Sequence, residues 1–143
     1  MSFFVDTNVV IYAAGKSEYR EPCLELLREI AAGRSEGRTS TAVVEEAWHV
    51  ELSGRAGPLP GLARRTYAVF TPLLPVTDET VHLAFSLDGG PLGANDRIHL
   101  ATCRQHDIET IVSADGGFDQ VRGIRRVDPL DQRALRWLLA PRP

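Results

Sequence analysis

The sequence predicts an α/β fold with a central, mostly parallel β-sheet flanked by helices. Three observations predict it. Short runs with strand character alternate with helical stretches along the whole chain. The first run, Phe3-Phe4-Val5, is apolar throughout, as a strand covered on both faces would be. Acidic residues fall at strand ends, where parallel sheets present their ligand-binding loops. The 143 residues fit a single domain spanning 1–143.

The elements follow in order. Phe3-Phe4-Val5 ends at Asp6, and residues 9–14 form a short helix that Gly15 terminates. Residues 18–32 read as a helix, with Pro22 near its start and Leu26, Leu27 and Ile30 at helical spacing. Residues 38–41 form a second short strand, leading into a helix over 42–52 that Ser53-Gly54 stops. Residues 55–61, rich in proline and glycine, form a loop. Residues 62–70 are helical, and 74–76 are a brief extended segment. Asp78 is the expected cap of a helix reaching Leu87, with Glu79 in its first turn. Gly89 to Gly93 break the chain; 94–106 are then helical, with Asn95 as expected cap. Residues 109–113 carry the β-branched run of a fourth strand, and 125–127 a last one. Asp128-Pro129 opens a final helix carrying Leu135, Leu138 and Leu139.

Composition excludes several function classes. The net charge is −3, from 16 basic and 19 acidic side chains, so nucleic acid is not held by global charge. No apolar run approaches the roughly 20 residues of a membrane span, and the N-terminus lacks the basic start of a signal peptide. A cytoplasmic location is expected. Two cysteines, Cys23 and Cys103, stand far apart, which excludes a zinc ribbon and a disulfide scaffold. Every basic residue but Lys16 is arginine.

Four acids fall where a parallel sheet would bring them together. Asp6 ends the first strand and Asp115 follows the fourth. Glu46 lies about one turn into the helix after Ser40-Thr41, and Asp96 in the first turn after the glycine-rich break. Clustered carboxylates repel unless something neutralises them. Hard divalent cations do so, accepting carboxylate oxygens while leaving positions for phosphate and water. Such ions activate water and stabilise a leaving oxygen in phosphodiester hydrolysis.

At these residues the chain resembles the PIN-domain family of metal-dependent ribonucleases, and looks most like the VapC-type toxins of bacterial toxin–antitoxin pairs. The matching blocks are Phe4-Val5-Asp6-Thr7-Asn8-Val9-Val10-Ile11-Tyr12, Ser40-Thr41-Ala42-Val43-Val44-Glu45-Glu46, Asn95-Asp96-Arg97-Ile98-His99-Leu100-Ala101-Thr102 and Ile111-Val112-Ser113-Ala114-Asp115-Gly116-Gly117-Phe118. They cover essentially the whole chain, and their order and spacing make the set specific. The resemblance implies a PIN-like fold and a pocket holding one or two Mg²⁺ or Mn²⁺ ions. It places the catalytic and metal-binding acids at Asp6, Glu46, Asp96 and Asp115, supported by Thr7, Asn8 and Ser113, with Asp119 a further candidate. Counting from Ser40 favours Glu46, and a shift of one residue would move that site to Glu45. Ser113 stands where many members carry threonine. The resemblance further implies an endoribonuclease acting on RNA, inhibited by a VapB-like antitoxin, and a homodimer.

Rival phosphotransfer folds fit less well. Haloacid-dehalogenase-like phosphatases need a second aspartate where Asn8 stands, and they and receiver domains need a late lysine that is missing. P-loop and dinucleotide motifs are absent. The alternatives within the family are a PIN nuclease of RNA processing or decay and a non-catalytic PIN-like module. His99 shares a helix face with Asp96 and is expected to be packed or supporting rather than a ligand. His49, His82 and His106 are expected to be structural or exposed, Cys103 to lie in the core, and Trp48 and Trp137 to pack in the core or an interface. Arg97, Arg64-Arg65 and Arg125-Arg126 are the arginines to consider for phosphate contact.

Overall fold

A computed structural model describes residues 1–141; residues 142 and 143, the end of the expected domain, lie outside the described residues. The strands are β1 (Phe3–Val5), β2 (Gly37–Arg38), β3 (Thr110–Val112) and β4 (Arg125–Val127). The helices are α1 (Thr7–Ala14), α2 (Arg20–Ala31), α3 (Thr41–Ser53), α4 (Leu62–Phe70), α5 (Asp78–Ser86), α6 (Ala94–Gln105) and α7 (Gln132–Leu139). A short 3-10 helix, Gly116–Gln120, follows β3.

All strand pairs are parallel, in the order β2-β1-β3-β4. The chain steps outward from β1 to β2, then returns past β1 and continues from β3 to β4 on the other side. The strand order therefore reverses between β1 and β3. Loops diverge there at the carboxyl edge and leave a crevice.

Side chains alternate across the sheet as its pleat requires. Phe3, Val5, Val112 and Val127 pack on one face with Val9 and Val10 of α1, Leu26 of α2 and Leu138 of α7. Phe4 and Ile111 pack on the other with Leu100 and Cys103 of α6, Phe118 and Leu74. Helix α3 serves both layers, placing Ala47 and Val50 in the first and Val43 in the second. At Gly37 an added Cβ would lie 2.3 Å from Ile30 Cδ1, so β2 passes close beneath α2.

Several expectations need correction at the element boundaries. The segment at Leu74 forms a single parallel bridge to Ser40 rather than a strand, so Asp115 follows the third strand. Thr77, not Asp78, caps α5: its hydroxyl accepts from Thr80 N, and Thr80 Oγ1 accepts from Thr77 N. Asn95 does not cap α6; Gly93 holds that position without a side-chain bond, and Asn95 lies within the helix. Asp128-Pro129 lies before α7, whose cap is Asp131, accepting from Ala134 N at 3.0 Å. Trp48 and Trp137 are exposed rather than core, because the phases of α3 and α7 turn them outward. The Arg125 guanidinium lies 4.7 Å from the Trp137 ring centroid. Cys103 is in the core as expected, and burial pushes its thiol up to about 12.

Candidate active site

The centre of the crevice is Asp6. Its backbone N–H bonds Val112 O at 3.0 Å, which fixes the residue against β3. Its carboxylate caps α1, with Oδ1 accepting from Thr7 N at 2.7 Å. Oδ2 accepts from Ser113 Oγ at 2.7 Å and from Asn8 Nδ2 at 3.2 Å. Asp6 is 4% exposed, and among the described residues these donors hold it without an ion pair to lysine or arginine.

Ser113 and Asn8 tie the two central strands together at the carboxyl edge. Asn8 Nδ2 also donates to Ser113 Oγ at 3.0 Å, and Asn8 Oδ1 accepts from Ala114 N at 3.1 Å. Ser113 Oγ accepts from Asp115 N at 3.0 Å, and Asp115 Oδ1 accepts from Gly117 N at 2.8 Å. One hydroxyl thus orients Asp6 and starts the turn that places Asp115.

Glu46 and Asp96 arrive from helices on either side. Ser40 caps α3 through Val43 N, setting the phase that half-buries Glu46 and leaves Glu45 exposed. Burial raises the Glu46 carboxyl above its ordinary value, and the negative charge of Asp6 adds to this. The Thr7 hydroxyl and the charge of Arg55 partly offset the rise. Among the described residues, the Thr7 hydroxyl completes no hydrogen bond of its own. Asp96 is pushed up to about 7, first by burial, then by the charges of Asp6, Asp115 and Glu46, and last by its approach to the Asp115 side chain. The four carboxyls predicted to converge therefore act on one another in one electrostatic cluster.

Among the described residues, Asp6, Asp96 and His99 form the group whose metal-ligating atoms lie within 4.8 Å of one another. Glu46 and Asp115 stand outside that group and reach it through charge. The donor set fits a divalent cation: repelling carboxylates are brought together, and a cation would relieve them. His99, expected as a packed or supporting residue, is fully buried, with Nε2 3.5 Å from Asp6 Oδ1. Burial holds its ring below the ordinary histidine range.

Asp119 is engaged elsewhere. Both its oxygens accept from Arg126, Nε and Nη2, at 2.9 Å. Arg126 also donates to Ser113 O and to Asp128, clamping the turn after β3 onto β4. Arg97 donates to Leu92 O and Gly90 O, so it ties down the glycine-rich loop rather than facing the crevice. The sequence offered a signal for the Arg126 clamp in the pair Arg125-Arg126 after the fourth block, where alternation turns one arginine inward.

The PIN-domain family model matches residues 3–124, which include all four acids. The chain belongs to the PIN-domain family. Among curated relatives, the ribonuclease VapC13 of Mycobacterium tuberculosis is 30% identical over 128 residues, covering 86% of this chain and 97% of the relative. The solved structure of VapC20 from the same species, described as a sarcin-ricin loop cleaving toxin, superposes with a TM-score of 0.65. It is 18% identical and covers 86% of this chain and 98% of its own. VapBC2 of Rickettsia felis, solved bound to a promoter DNA fragment, gives 0.64 at 15% identity, covering 90% and 100%. These structures share the fold with this PIN domain. Among the described residues, no helix is long and apolar enough to cross a membrane.

Proposed function

We propose that this PIN domain is a divalent-metal-dependent endoribonuclease, the toxin of a VapBC-type pair, acting in the cytoplasm as one domain over 1–143. The observation that carries the reading is the junction of β1 and β3. There burial first, and then the charges of Asp6, Asp115 and Glu46, raise the Asp96 carboxyl to about 7. Similarity to a VapC ribonuclease supports it.

In this reading Asp6 and Asp96 hold the ion, one Mg²⁺ or Mn²⁺ or two, while Glu46 and Asp115 bind its waters or a second ion. When bound, the cation would acidify the attacking water and stabilise charge on the phosphate oxygens. Ser113 and Asn8 keep Asp6 oriented for this task. Glu46, whose affinity for protons burial raises, would serve in this reading to accept a proton from water. Arg55 is the arginine whose charge reaches Glu46 and is assigned to an RNA phosphate.

The partner reading rests on a different face. A groove of about 460 Å³ runs between α1, α2 and α4, lined by Val10, Leu24, Leu27 and Phe70 and edged by Arg20 and Arg65. An apolar floor with a cationic rim fits an amphipathic antitoxin segment bearing acidic residues. A homodimer belongs to the same reading.

The test is RNA cleavage with Mg²⁺ or Mn²⁺, with and without chelator, by wild type, Asp6→Asn and Asp96→Asn. Cleavage should require the ion and fall by at least about 100-fold in either variant. Equal rates in all three proteins would refute the assignment.

A further inference from the structure

His99 carries polar atoms that packing alone does not explain. Its ring is fully buried beside Phe4, 5.2 Å between centroids, and neither ring nitrogen has a hydrogen-bond partner among the described residues. Buried polar atoms are partnered as a rule, because leaving one unpaired is costly. Leucine would fill the same space without that cost. The ring is not needed to orient Asp6 either: Thr7 N, Ser113 Oγ and Asn8 Nδ2 already do so. Yet Nε2 lies 3.5 Å from Asp6 Oδ1, and Asp96 offers an oxygen in the same group.

We propose that His99 donates a ring nitrogen to the cation held by Asp6 and Asp96, making a mixed nitrogen–oxygen site that favours Mn²⁺ over Mg²⁺. The inference rests on the metal-nuclease reading above and adds an ion preference to it. Adjacent ligand atoms around an ion of this size lie roughly 3 Å apart. The 3.5 Å between Nε2 and Oδ1 is close to that spacing. Mg²⁺ is a hard ion that keeps oxygen ligands and water. Transition ions gain more from an imidazole, and Mn²⁺ also suits carboxylates. Three side chains from β1's end and one helix therefore set the ion preference. Asp96 and His99 lie three residues apart on α6, which puts both on one face.

Mn²⁺ binding to metal-stripped protein, followed by electron paramagnetic resonance with Mg²⁺ competition, tests this without catalysis. Electron spin-echo modulation of the bound Mn²⁺ reads nitrogen coordination directly. Wild type should show a coordinated nitrogen. His99→Leu should lose it and lower the Mn²⁺-to-Mg²⁺ affinity ratio by about tenfold, with Mg²⁺ binding little changed. His99→Gln, which keeps a polar tip, provides a second variant should His99→Leu fail to fold, with circular dichroism reporting the fold. The wild-type spectrum needs neither variant. No coordinated nitrogen in wild type overturns the proposal, as does equal loss of both ions in His99→Leu. RNA cleavage supported by Mn²⁺ without nitrogen coupling defeats the role of His99 alone. Failure of folded wild type to bind either ion defeats the metal-nuclease reading and this inference with it.

Discussion

At Asp96 two local effects oppose each other. It sits in the first turn of α6, where the helix dipole favours a negative charge. Burial and three neighbouring acids win, and the carboxyl is pushed up to about 7. A carboxyl raised in the folded state favours the fold while it holds its proton, and that contribution is lost as pH rises. Without metal, the melting temperature should therefore fall as pH is raised from the ordinary value of 3.8 through about 7. Asp96→Asn should flatten this trend, and thermal unfolding in chelator across that range measures it. An unchanged pH slope in the variant would refute the assignment. Saturating divalent ion should reverse the slope, because the ion binds the deprotonated carboxylate. Ser113 is the second sensitive residue. Its hydroxyl touches Asp6, Asn8 and the Asp115 backbone at once. Ser113→Ala should keep its fold and lose about 10- to 100-fold in metal affinity or cleavage rate, as calorimetric titration and a cleavage assay would show.

Among the elements, α3 shows most plainly how a helix end serves the site. Ser40 starts it, Gly54 ends it at φ 67°, and the phase between them directs Glu46 inward. Nothing lies within 4 Å of a Cβ added at Gly54, so the backbone conformation is its sole demand. Gly54→Ala should destabilise by about 1 kcal/mol in urea unfolding while leaving cleavage intact. The turn after β3 offers a contrast. Asp119→Ala should leave metal affinity unchanged, because its carboxylate is spent on Arg126. Arg126→Ala should weaken it, because Arg126 also holds Ser113 O. Equal metal affinity in both variants would remove the clamp from the site. The helices themselves were legible from apolar spacing, as α4 shows by matching its expected span. Their caps were less so. Thr77 beside Asp78, Gly93 beside Asn95 and Asp131 beyond Asp128 all compete within a turn. The winner depends on tertiary placement that periodicity does not contain.

For the whole molecule, the reversal of strand order between β1 and β3 decides where chemistry takes place. The acids were legible because strand ends and helix starts mark the carboxyl edge of a parallel sheet. His99 was not singled out as a ligand, because a lone histidine on the buried face of α6 reads as core. Its approach to Asp6 depends on how α6 packs over Phe4. The core half of the expectation for Trp48 and Trp137 failed because size suggests burial while helical phase turns both outward. The groove between α1, α2 and α4 was also invisible, since it needs three separate helices to exist. Leu27→Glu, on its floor, should weaken capture of the cognate antitoxin by about tenfold or more in a pull-down or calorimetric titration. Cleavage by the free protein should survive. Undiminished capture would move the antitoxin to another face.

The sheet also keeps time. Asp6 ends the first of the two central strands, yet its carboxylate and backbone are held by Ser113 and Val112 at the end of the other. During synthesis, those two bonds wait until more than a hundred residues have followed Asp6, and only Thr7 and Asn8 are near it before then. The acidic cluster is thus assembled only when the two central strands pair, so folding of the sheet and completion of the site are one event.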